Sequence, residues 1–274
     1  MGIIEKIYNV LAYEIESPES YGIFHLISLA VIICTTVIIT LKFKDCSEAT
    51  ERRIAKIFLF TIVALEIYKQ VIFAIEFDDG KLVFDYAWYA FPFQFCSSPM
   101  YVLPFIAFMK NGKVRDAAIS FMATFSLFAG IAVAIYPNDV FMQLLGIDIQ
   151  TMVHHGSQIV LGVFFAARRL NSHFPVPTKR HFIGALSVFS ALSAVAMILN
   201  ISVYNVFVAN GIDDTFNMFF ISPYFDCTLP VLSIFYGILP YPAFLLTYLI
   251  GFAIVALIMI GLVAGAAKIF GKRK

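Results

Sequence analysis

Seven stretches of this chain are too long and too apolar for the core of a water-soluble protein. They lie at about 21–41, 55–76, 91–109, 114–136, 150–167, 182–208 and 241–267. Each approaches the ~20 residues a helix needs to cross a hydrocarbon layer. Hydrophobic residues fill 61% of the 274 positions and charged residues 14%. Soluble domains run near one half and one quarter, so lipid must solvate much of this surface. Strands of a membrane barrel would alternate polar and apolar positions, and these stretches do not, which leaves helices. No repeat or long linker divides the chain, so residues 1–274 are expected to form one integral membrane domain: an all-α, polytopic seven-transmembrane helix bundle.

Charge gives the orientation. Lys42, Lys44, Arg52, Arg53 and Lys56 separate the first two stretches, and Lys110, Lys113 and Arg115 separate the third and fourth. Arg168, Arg169, Lys179 and Arg180 lie between the fifth and sixth, and Lys268, Lys272, Arg273 and Lys274 follow the last. The alternate segments hold only Lys6 and Lys81, with Lys69 inside a span. By the positive-inside rule the N-terminus is outside and the C-terminus inside, in a multi-pass protein of the cell membrane. The first 20 residues, with Glu5, Glu14, Glu16 and Glu19, lack the features of a cleavable signal. With no basic domain, nucleic acid is not an expected partner. Segment 209–240 is apolar yet broken by Pro223, Pro230, Gly237 and Pro240, as an outer re-entrant or interfacial piece before the last span would be.

Polar side chains inside a bilayer are costly and mark candidate sites. Counting depth along each span puts His25, Glu66, Lys69, Gln70, Cys96, His154 and His155 in the outer half, with Asp226 and Cys227 in the broken segment; the inner half has no comparable set. Cys96 lies in Phe91-Pro-Phe-Gln-Phe-Cys-Ser-Ser-Pro-Met100, where Pro92 suits a first helical turn and Pro99 a bend. A cysteine near a helix N-terminus gains thiolate character; the alternatives are a cysteine packed as a small apolar residue, or one bridged to Cys227. His154 shares a polar stripe with Thr151 and Gln158, and a neutral histidine there can act as a base. The four cysteines show no zinc spacing, and His25, His154, His155 and Asp226 lack i, i+3 or i, i+4 ligand spacing, so no metal or cofactor is expected. Glu66, Lys69 and Gln70 share one face, either as a self-neutralising pair or as part of the site. Asn200, Asn205 and Asn217 fit interhelical hydrogen bonding, and Tyr86, Trp88 and Tyr89 an outer aromatic belt.

Gln-Phe-Cys-Ser-Ser-Pro-Met-Tyr-Val-Leu-Pro at 94–104 resembles the signature of the YwaF family of integral membrane proteins, relatives of the transmembrane protein 164 acyltransferase. The pair His154-His155, Phe216-Asn217-Met218, Pro223 and Leu239-Pro-Tyr-Pro242 are similar to the family's later motifs in order and spacing. The likeness runs through nearly the whole chain and departs at Tyr241, where the family pattern has tryptophan. The resemblance implies a lipid acyltransferase: Cys96 takes an acyl chain from a phospholipid as a thioester, and His154 serves as base toward a lysolipid hydroxyl. Membrane lipids are then the partners, and His155, Glu66, Lys69, Gln94, Gln158, Asn217 and His25 the site's neighbours. A transporter or a non-catalytic membrane protein is the alternative, although no inverted repeat is evident.

Overall fold

The computed structural model describes residues 2–78, 81–137, 140–170 and 179–270, with backbone alone at 77, 78, 169, 170 and 266–270. Lys272, Arg273 and Lys274, used in the charge reading, lie outside the described residues, as do the side chains of Arg169 and Lys268. Ten α-helices are described: α1 (Ile3–Leu11), α2 (Ile23–Phe43), α3 (Glu48–Ile72), α4 (Ser98–Phe108), α5 (Lys113–Phe121), α6 (Leu127–Ile135), α7 (Leu145–Leu170), α8 (Lys179–Asn210), α9 (Leu232–Ile238) and α10 (Tyr241–Phe270). A short antiparallel hairpin, β1 (Ile75–Asp78) and β2 (Lys81–Phe84), pairs Ile75 with Phe84. It adds a minor strand element to a fold read from sequence as all-α.

Four helices are long and apolar enough to cross a membrane: α2, the continuous run Lys113–Ile135, α8 and α10 through Gly265. The run Lys113–Ile135 joins α5 to α6 through a π-turn at Met122–Ser126. It is the central element, with 72% of its most apolar stretch buried against 11% for α2. α2 is apolar all round and packs on one side along α7, where a Cβ on Gly156 would come within 2.7 Å of Ile32. Its remaining faces suit lipid. α3 and α7 have 25 and 26 residues and carry the polar groups: Lys56, Glu66 and Lys69 on one, Gln150, His154, His155 and Gln158 on the other. α3 starts where Ser47 accepts from Thr50 N–H at 3.3 Å, with Glu48 and Glu51 in its first turn.

The third apolar stretch departs from the expected helix over 91–109. Residues 95–97 form a 3-10 turn and α4 begins only at Ser98, so its 11 residues span roughly 16 Å. Pro99, not Pro92, sits in the first turn. Pro92 is instead held outside the helix, its carbonyl accepting from Tyr101 Oη at 2.5 Å. Phe95 plugs this turn into an aromatic core, 5.2 Å from Phe252 and 5.4 Å from Phe219 by ring centroid. Phe189 continues the cluster, stacked on Phe125 at 4.6 Å.

The broken segment before α10 is held by polar side chains. Asn200, fully buried, donates to Met218 O at 3.0 Å and accepts from Met218 N–H at 2.7 Å. Phe219 and Phe220 take φ of 59° and 58°, a conformation costly for bulky residues. Tyr248 Oη on Phe219 O at 3.0 Å and Tyr241 Oη on Ile221 O at 2.5 Å hold the chain there.

At the end of the bundle where α3 begins lies a polar set that the sequence reading did not expect. Buried Glu51 bonds Arg115 of α5 through Oε1 and Arg168 of α7 through Oε2, the latter at 2.5 Å. Arg115 Nε also donates to Ile106 O at 3.1 Å, and Arg168 Nη1 to Cys46 O at 2.8 Å. Charges at the ends of these helices are thus not all in water: one carboxylate clasps two guanidinium groups between three helices.

Candidate functional site

A cavity of about 200 Å³ opens at the opposite end of α3. Glu66 and Lys69 reach it from α3, Gln94, Cys96 and Ser97 from the turn before α4, and Gln150, Thr151, His154 and His155 from α7. Val140 and Met142, from the segment between α6 and α7, close another side. On α7 the four polar positions recur as i, i+1, i+4 and i+5, which is one helical face. That periodicity exposes Gln150, which the reading based on Thr151, His154 and Gln158 had passed over.

The two histidines make different bonds. His154 Nε2 lies 3.0 Å from Cys96 O, and Gln158 Nε2 donates to the same oxygen at 2.7 Å. A carbonyl only accepts, so neutral His154 carries its proton on Nε2 and presents Nδ1 as the lone-pair nitrogen. Nδ1 is buried with no hydrogen-bond partner. His155 does the reverse: Nδ1 lies 2.8 Å from Thr151 O, so its basic nitrogen is Nε2. The contact between the helices is therefore from imidazole to the main chain of Cys96, not the hydrogen-bonded thiol–imidazole dyad expected from depth alone. Cys96 itself is half-buried and free, as is Cys227, which is buried; the two are not bridged.

Glu66 and Lys69 form an ion pair, Nζ to Oε1 at 2.8 Å, in which both side chains are largely buried. Gln70 Nε2 donates to the same carboxylate oxygen at 2.9 Å and to Ala90 O at 2.9 Å, and its Oε1 accepts from Tyr86 Oη at 2.5 Å. Glu66 Oε2 is buried without a partner. The pair balances charge, and the chain through Gln70 anchors residues 86–90 to α3. Trp88 packs on Phe207 at 5.3 Å, and Tyr86 packs edge-on to Trp88. Tyr89 lines the cavity, and Gln94 Nε2 donates to its carbonyl.

Two residues expected here lie elsewhere. His25 of α2 is fully buried, its Nδ1 accepting from Tyr21 N–H at 3.0 Å and its ring against Phe141 at 5.5 Å. Asn217 braces the broken segment, accepting from Ser222 N–H at 2.9 Å and donating to Asp226 O at 3.0 Å. Among the described residues no three of His, Cys, Asp or Glu come together as metal ligands, so His25, His154, His155 and Asp226 do not form one group.

Fold and site together define a class, an α-helical membrane protein with a polar, cysteine- and histidine-lined pocket at one end of its bundle. Comparison adds no relative to that description: no family model, curated protein or solved structure matches the chain.

Proposed function

We propose that this is a seven-span, multi-pass protein of the cell membrane, N-terminus outside and C-terminus inside, and that its pocket is a cysteine-dependent lipid acyltransferase site of the kind the YwaF resemblance implies. The observation that carries the reading is the meeting of Cys96, His154 and His155 in one cavity, with the lone pair of His154 Nδ1 buried and unpartnered. A buried acceptor without a donor is costly and asks for a function. A thiol, or the hydroxyl of an acceptor lipid, is such a donor. The seven-span count is supported by the lengths of α3 and α7, which exceed a layer of about 30 Å at 1.5 Å per residue. The third crossing combines α4 with the irregular 91–97 segment, which the aromatic core covers.

In the proposed reaction substrate binding brings the Cys96 thiol, which makes no hydrogen bond to the imidazole in this structure, within reach of His154 Nδ1; the proton passes to Nδ1, and Sγ attacks the ester carbonyl of a phospholipid. The lysolipid leaves with that proton, and the acyl chain stays as a thioester. A hydroxyl of the acceptor lysolipid then yields its proton to Nδ1 and attacks the thioester, and the thiolate recovers the proton. Lysolipid and ester are exchanged without cofactor. Glu66 and Lys69 keep the pocket's charge balanced.

Incubating the full chain with acyl-labelled phospholipid tests this. Label that hydroxylamine removes should reside on Cys96, and Cys96→Ala should lose it while unfolding at the same temperature. Label retained in the variant, or found on Cys34, Cys46 or Cys227, would move the site elsewhere. Absence of label across phospholipid classes, with Cys96 free, would end the acyltransferase reading.

A further inference from the structure

We infer that α1 lies in the lipid–water interface, its apolar face among acyl chains and its other side forming a wall of the vestibule above the Cys96 pocket. The inference does not depend on the acyltransferase reading. At 100° per residue, Ile3, Ile4, Ile7, Val10 and Leu11 share one arc of this helix, and Glu5, Lys6 and Asn9 share the other. A helix packed on its own protein turns the apolar arc inward. α1 is the other way round. Ile3, Ile4, Ile7 and Val10 are 80%, 69%, 55% and 75% exposed, and no residue of the helix is buried. The half-buried positions are Glu5 and Tyr8.

Polar ties hold it in this sense. Tyr8 Oη donates to Ile75 O at 2.9 Å. The chain that follows is stitched to the start of α7 by Ile15 N–H on Gln143 O at 3.0 Å and Leu145 N–H on Tyr13 O at 3.1 Å. The orientation is thus fixed from the protein side, and the apolar side is left for an outside medium. Lipid is that medium because these ties place α1 at the end of the bundle where the apolar, exposed α2 begins, the ring of His25 in its first turn lying 5.5 Å from Phe141 just before α7. Nine residues fall well short of a crossing, so the helix lies along the surface rather than through it. Its protein-facing side, through Tyr8 and Asn9, lines a cavity of about 1080 Å³ that shares Phe73 and Met142 with the Cys96 pocket.

Tryptophan fluorescence of the full chain in phosphatidylcholine vesicles tests the placement. Trp88 is the sole native tryptophan; Trp88→Phe removes its signal, or, should that variant be unstable, the unsubstituted protein supplies the background. Ile7→Trp on this background should be quenched several-fold more by lipids brominated near the headgroup end of the chain than by lipids brominated near the bilayer centre, and only weakly by acrylamide. Asn9→Trp should show the opposite, strong acrylamide quenching with little effect of bromine. Val10→Trp repeats the measurement at a second exposed position. Emission at position 7 that acrylamide quenches and brominated lipid does not would place α1 in water. Emission shielded from both would mean that a second copy or another protein covers it. Either result overturns the inference.

Discussion

A neutral imidazole holds one proton, so whatever fixes that proton decides which nitrogen is the base. At His154 the fixing group is the Cys96 carbonyl, which already accepts from Gln158, and the free nitrogen is Nδ1. At His155 the Thr151 carbonyl leaves Nε2 instead. Adjacent histidines thus point different nitrogens at different surroundings, and they should not substitute for each other. General-base assistance is worth about 10²–10⁴-fold, so His154→Ala should lower the proposed acyl transfer by that order and slow alkylation of Cys96 by a neutral thiol reagent near neutral pH. His155→Ala should do markedly less to both. A pH series of Cys96 alkylation in the two variants, at matched thermal stability, makes the comparison; a larger loss at His155 would reverse the assignment. Along the chain, depth was readable because each helical residue advances 1.5 Å. That is why Glu66 and Lys69 of α3 and His154 and His155 of α7 lie at one level, where the turn before α4 brings Gln94 and Cys96 to the same cavity. Rotation about each axis was not readable. His25 and Asn217 sit at suitable chain positions but turn toward Phe141 and the Asp226 carbonyl.

Helices α6 and α7 meet through glycine. A Cβ on Gly130 would stand 2.7 Å from His155 O and 2.9 Å from Gln158 Cβ, and one on Gly162 would stand 2.6 Å from Leu127 Cβ. The obstruction at Gly130 is backbone, which cannot swing aside as a side chain can. Gly130→Ala should therefore lose about 1–3 kcal/mol through overpacking, outweighing the ~0.5–1 kcal/mol that alanine gains over glycine in a helix. Gly261→Ala, where a Cβ meets nothing within 4 Å, should keep that gain. Thermal unfolding of both variants in one detergent gives the two signs; equal shifts would show that the interface relaxes. Because Gly130 backs onto the residues that hold Cys96, its variant should also lose activity below its unfolding temperature. At this scale hydrophobicity identified α2, the α5–α6 run, α8 and α10, but it says little about where a helix begins. Pro99 sets the start of α4, and the Tyr101 and Phe95 contacts that hold 91–97 outside the helix are tertiary. α1 escaped notice because nine residues of helix are swamped in a chain so apolar throughout.

Across the whole molecule the pocket and the Glu51 clasp sit at opposite ends of α3. The fifteen residues from Glu51 to Glu66 cover roughly 22 Å of helix. The clasp was hidden in the sequence because Arg115 and Arg168 lie where the positive-inside rule expects basic residues anyway, and a pattern of charge does not reveal a shared carboxylate. Removing the carboxylate leaves two buried guanidinium groups facing each other, so Glu51→Ala should destabilise the fold by about 3–5 kcal/mol. Unfolding by denaturant measures it, and a loss under 1 kcal/mol would mean that water or lipid headgroups replace the carboxylate. The clasp also decides how the bundle can move. Three helices pinned together at one end have the geometry of the arms of a pair of tongs: for a given tilt about the pin, displacement grows with distance along the helix. The far tips of α3 and α7 carry Lys69 and His154. Whatever enters that mouth therefore works against a lever whose fulcrum is a single glutamate at the opposite end of α3.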